Sequence, residues 1–111
     1  MPNTWLIDKT DDYVLVTRRK PVRWDISAQT TFPRCHPLRL AHQIRQDVWR
    51  QLQRIKGFCP AVEIKIGEVL EVRAGGRVLR HVPPGASDKV HALLTDSGIR
   101  NRWLAFARYR T

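Results

Sequence analysis

Arg39, Gln43, Gln46, Arg50, Gln53 and Arg54 follow one another at steps of four, three, four, three and one. On a helix that spacing puts all six on one side. Arginine carries a planar fork that holds a phosphate at two points or pairs with guanine edges, and glutamine can pair with adenine edges. The chemistry these residue types suit is the gripping of a nucleic acid, with base reading falling to Gln43, Gln46 and Arg50. Asp47 lies off the axis of the stripe, and Arg45 and Lys56 flank it. Arginine and glutamine are also good helix formers, so a merely solvated face can have the same composition.

Two further cationic segments could join that face. Arg18, Arg19 and Lys20, with Arg23 close by, would crowd positive charge around a turn. At the C-terminal end Arg100, Arg102, Arg108 and Arg110 are interleaved with Trp103, Phe106 and Tyr109. Such interleaving can clamp a nucleic-acid backbone and stack on its bases. Trp103 and Phe106 fit better as the buried stripe of a docking helix, which leaves Tyr109 freer to face outward.

Other chemistries lack their residues. Cys35 and His36 are adjacent, and Cys59 and His42 would have to complete a metal site from a distance, whereas zinc ligands come in closely spaced pairs. His81 and His91 belong to no such pattern. There is no nucleophile elbow, phosphate-cradling Walker loop or dinucleotide fingerprint, and the acids are scattered or crowded into Asp8–Asp12. The expectation is a noncatalytic protein with no catalytic residue, metal or cofactor.

Charge supports the binding reading. Twenty Lys and Arg face ten Asp and Glu, a net charge of +10. Residues 1–12 carry −2, residues 13–60 carry +8, residues 61–99 are neutral and residues 100–111 carry +4. A field gathered in two segments concentrates polyanions and speeds their encounter. An acidic protein would reward the same arginines, so a small adaptor or regulatory protein docking an acidic partner is the alternative. The opening MPNTWLIDKTDD lacks an apolar run of signal length, and no stretch is long enough to cross a membrane, so the cytoplasm is the default expectation and no membrane partner is foreseen. Two cysteines are too few for a disulfide-stapled secreted domain.

The elements that must position these residues are legible in outline. A chain of 111 residues suits one domain, and 42% hydrophobic residues suffice for a modest core. Trp5–Ile7 and Tyr13–Thr17 read as apolar runs joined in a hairpin by the polar stretch 8–12. Val22, Trp24 and Ile26 alternate with polar residues, a strand that could extend to Phe32. Between Pro37 and Gly57, Leu38, Ala41, Ile44, Val48, Leu52 and Ile55 define an amphipathic helix of nearly twenty residues. Alternation over Val62–Ile66 and Leu70–Val72 gives two strands, and Gly75-Gly76 predicts a tight turn into a third over Arg77–Val82. Glu63, Lys65, Glu71, Arg73 and Arg80 would line the wet face of this meander. Ser87 is placed to cap a short helix containing Val90, Leu93 and Leu94, and a last helix would bury Ile99, Trp103, Phe106 and Ala107. The expected fold is a single α+β domain over residues 1–111, with an antiparallel sheet, one long helix across it and two shorter C-terminal helices.

The expected order over residues 37–95, helix, three-stranded meander, helix, is similar to that of double-stranded RNA-binding domains. In that family the second helix opens with a glycine–serine stretch and lysines that sit on phosphates. Gly85, Ser87 and Lys89 match this loosely, while Asp88 stands where a lysine is wanted and His91 replaces a small residue. The resemblance implies a preference for A-form duplexes; it is one of topology only and assigns no membership.

Overall fold

The computed structural model describes residues 5–108. Eight elements follow in order: β1 (Leu6–Thr10), β2 (Tyr13–Thr17), β3 (Ile26–Phe32), α1 (Pro37–Leu52), β4 (Cys59–Ile66), β5 (Leu70–Arg77), α2 (Ala86–Thr95) and α3 (Ser97–Ala107). The strands form one antiparallel sheet in the order β1-β2-β4-β5-β3. The fold is a single α+β domain, as the sequence predicts, with a five-stranded antiparallel sheet and three helices.

Period-two alternation decides which side of each strand is buried. Val14 and Val16 on β2, Val62 and Ile64 on β4, and Leu70, Val72 and Ala74 on β5 enter one core with Ile26 and Phe32 of β3. Leu40, Ala41, Ile44, Val48 and Leu52 of α1 close over them. Trp103 of α3 is fully buried, its ring 6.1 Å from that of Phe32. All three helices therefore cover one face of the sheet and leave the other open. Among the described residues no helix is long and apolar enough to cross a membrane.

Several expectations are corrected. Gly75 and Gly76 do not turn the chain; they lie inside β5, with φ of 151° and 146°. A Cβ on Gly75 would strike the Ile26 carbonyl of β3, and one on Gly76 the Cys59 carbonyl of β4. They mark close backbone approach within a ladder rather than a hairpin. No third meander strand follows: residues 78–85 form none, Arg80 lies outside the sheet, and β5 pairs instead with β3. The helix–meander–helix order behind the resemblance to duplex-RNA readers is therefore absent. β3 begins only at Ile26, so Val22 and Trp24 belong to the connection that carries the chain from β2 to the far edge.

The helix termini differ in detail. α1 is 16 residues long and Ile55 packs on the core from the turns beyond it. His36 caps its start, Nδ1 accepting from the Arg39 N–H at 3.3 Å. Gly85, with φ of 78°, stands at the α2 N-cap, while the Ser87 hydroxyl accepts from the Ser27 N–H at 3.2 Å and seals part of the β3 edge. Phe106 is 57% exposed because α3 turns only its Trp103 and Ala107 fully inward. Cys35 is buried and Cys59 half-buried, and burial pushes the Cys35 thiol pKa up.

Candidate functional site

α1 presents Arg39, Gln43, Gln46 and Arg50 on the side away from its buried stripe. The first three are half-buried and Arg50 is exposed. Gln53 is the C-cap, its Nε2 donating to the Arg50 carbonyl at 3.4 Å, and Arg54 lies just beyond. The predicted stripe thus continues past the helix into exposed chain. Asp47 holds α1 to α3: its Oδ2 accepts from Trp103 Nε1 at 2.7 Å and from Arg102, and its Oδ1 stands 3.8 Å from Arg50.

The C-terminal arginines part ways. Arg100 turns inward, donating to Thr30 Oγ1, to the Leu94 carbonyl at 2.9 Å and to the Thr31 carbonyl at 2.6 Å. Its guanidinium lies 3.9 Å from the centre of the Phe32 ring. These contacts fix the start of α3 to the β3 edge and to the end of α2. Arg102 is held by Asp47, and Arg108 is exposed beside the end of α3. Arg110 and Tyr109 lie outside the described residues.

Strand register sorts the remaining charges toward opposite ends of the sheet. The β1–β2 turn carries Asp11 and Asp12, the β4–β5 turn carries Glu68, and the Ile66 N–H donates to the Asp12 carbonyl at 2.9 Å, so these acids share one end with Arg34 just after β3. At the other end Thr17 stands opposite Ala61, and Cys59 opposite Arg77. Arg18, Arg19, Lys20 and the Arg54–Lys56 stretch before β4 therefore meet there. Asp25 is the acid of that end, already accepting from the Val78 N–H at 2.9 Å and from Arg23 at 3.1 Å. Those bonds, led by the one from Val78, hold its carboxyl below the usual range. Lys20 reaches back to Asp8.

A group of residues outside the predicted stripe gathers between this end and α1. The Arg18 guanidinium lies 4.6 Å from the Trp5 ring centre and 5.9 Å from that of Trp49. Arg45 lies 4.3 Å from the same Trp5 ring. Trp49 in turn stacks on Phe58, centres 6.3 Å apart and planes within 8°. Burial, then the Arg18 charge, press the Arg45 guanidinium below its ordinary pKa; burial, then Arg45, do the same to His42. Arg45 and Trp49 stand one turn apart on α1, which was readable from spacing. Their meeting with Trp5 and Arg18 depends on tertiary structure.

The open sheet face has a different character. Gln29, Thr31, Glu63, Lys65, Glu71 and Arg73 line a groove of about 280 Å³. Glu63 stands opposite Arg73 and Lys65 opposite Glu71. Tyr13 donates to Glu63 at 2.8 Å, and burial followed by that bond pushes its phenol pKa up to about 12. Arg73 leans over Trp24, 4.4 Å from the ring centre. Acids and bases alternate across this groove, so its field largely cancels. Among the described residues no three His, Cys, Asp or Glu converge as a metal site would require. No known protein family, curated protein or solved structure matches the chain.

Proposed function

We propose that the protein binds nucleic acid without catalysing a reaction on it. The interface consists of Arg39, Gln43, Gln46, Arg50, Gln53 and Arg54 together with Arg18, Arg19 and Lys20, with Arg102 and Arg108 at its margin and Arg100 withdrawn into the fold. The observation that carries the reading is that most cations of this side have no internal counter-charge, Lys20, Arg50 and Arg102 being the ones that reach Asp8 or Asp47. Among the described residues no carboxylate stands within ion-pair distance of Arg18, Arg39, Arg45, Arg54 or Lys56. Cations left unmatched on one side keep their reach toward an external polyanion, whereas those matched across a ladder lose it.

Replacing Arg39, Arg50 and Arg54 together with Ala tests the proposal. The fold should survive, since none of the three is in the core. Oligonucleotide affinity should drop, and the dependence of log affinity on log salt should flatten by about 0.9 for each duplex phosphate that is no longer neutralised. Unchanged retention on an oligonucleotide column by a folded triple variant would remove α1 from the interface. Binding to acidic proteins with no affinity for oligonucleotides would favour the docking alternative.

A further inference from the structure

We infer that the cluster where the end of β2 meets α1 is a phosphate site, formed by Arg18 and Arg45 around Trp5. The inference rests on the nucleic-acid reading for the source of the phosphate, not for the chemistry of the site. It moves the principal backbone contact off the polar stripe of α1 and onto residues that the stripe excludes.

Three observations converge on it. The first is proximity: both guanidinium groups lie within 5 Å of one indole centre, at 4.6 and 4.3 Å. They can be no farther apart than those two distances laid end to end. The second is the absence of compensation, since no carboxylate of the described residues pairs with either group, and Arg45 Nε is buried with no acceptor. The third is the cost of the arrangement. Burial first and the Arg18 charge second hold Arg45 below its ordinary pKa, and aromatic faces offset only part of the repulsion between the two guanidinium groups. An anion with several acceptor oxygens would supply the missing partner for Arg45 and relieve the repulsion between the pair.

The aromatic groups say which part of a nucleic acid enters. Phe58 stacks on Trp49, and the arginines occupy Trp5. These rings are therefore already engaged and serve to position the guanidinium groups. The site recognises the phosphate and is indifferent to the base.

Two probes separate this site from the wider reading: pyrophosphate, and a labelled mixed-sequence oligonucleotide. Pyrophosphate should change the tryptophan fluorescence of the wild-type chain in a saturable way. The Arg18→Gln/Arg45→Gln variant, its fold checked by circular dichroism, should lose that response. Its oligonucleotide affinity should fall roughly tenfold or more, about equally for every sequence, and its salt slope should fall by about one to two. The Arg39/Arg50/Arg54 triple variant should keep the pyrophosphate response. A folded double variant with wild-type affinity and slope would overturn the site while leaving the proposed function standing. A pyrophosphate response without oligonucleotide binding would retain the site and overturn nucleic acid as its ligand; response to neither probe would overturn both. Should the double variant fail to fold, arginine-selective dicarbonyl labelling of the wild-type chain decides the matter. Pyrophosphate should shield Arg18 and Arg45 but not Arg80, and equal labelling with and without it would dismiss the site.

Discussion

On the open face of the sheet Lys65 and Arg73 stand opposite Glu71 and Glu63, whereas on the helical side Arg18 and Arg45 meet only indole rings. Both regions are rich in basic side chains and both contain an arginine laid over tryptophan. The difference lies in what the backbone places next to them. Antiparallel register sets Glu63 against Arg73 and Glu71 against Lys65 across β4 and β5, while the acid on α1 is Asp47, already shared among Arg102, Trp103 and Arg50. Local neutralisation, more than total charge, separates a surface that attracts polyanions from one that does not.

The strongest way to disturb this contrast is to break the ladder that enforces it. Gly76→Ala would force a side chain against the Cys59 carbonyl at a φ of 146°. A loss of about 3 kcal/mol or more is expected in urea unfolding, with β5 displaced from β4. A near-neutral result would mean that the backbone relaxes easily and the register is less rigid than this close packing implies.

Asp47→Ala tests the helical side from within. It strips the carboxylate from Trp103 Nε1 and Arg102, and a stability loss of about 2–4 kcal/mol should follow. Oligonucleotide affinity, measured at a temperature where the variant remains folded, should rise, because Arg50 and Arg102 lose their internal partner. A fall in affinity of the folded variant would count against the contrast.

The two surfaces can then be compared by charge removal alone. The Arg39/Arg50/Arg54 triple variant should lose roughly ten- to a hundredfold in affinity, on the order of 1.4–2.8 kcal/mol. Lys65→Ala with Arg73→Ala should change it by no more than about twofold. Fluorescence anisotropy at fixed salt measures both, and equal losses would erase the distinction between the faces.

The smallest effect concerns Asp25, whose folded-state pKa is lowered chiefly by the Val78 N–H and then by Arg23. A depressed carboxyl pKa stabilises the fold above the unfolded-state value and loses that contribution as pH falls through the folded one. Asp25→Asn should therefore lower the melting temperature slightly near neutral pH, and the gap from wild type should close at acidic pH below the ordinary carboxyl range. A gap that widens on acidification would contradict the assignment.

Much of this was readable from the chain, for reasons that differ by element. Leu40, Ala41, Ile44, Val48 and Leu52 repeat with the helical period, and burial follows period directly. The β1–β2 hairpin was legible because the polar stretch 8–12 separates two apolar runs, although β1 continues through Thr10 and the turn itself is Asp11 and Asp12. Gly75-Gly76 misled because glycine serves both tight turns and close strand approach, and only the neighbours Ile26 and Cys59 distinguish the two. Arg100 misled because an arginine at the head of a segment rich in arginine and aromatic residues has the same sequence whether it faces solvent or the Thr31 carbonyl.

The sequence by itself determined the basic excess, the α+β class, the apolar face of α1 and the polar stripe opposite it, because composition and periodicity are local properties. Tertiary structure decided which charges survive. Strand order brought Arg18 to Arg45 and Trp5 and drew Arg100 into the β3 edge, since partners so far apart in the chain meet only when the sheet is assembled.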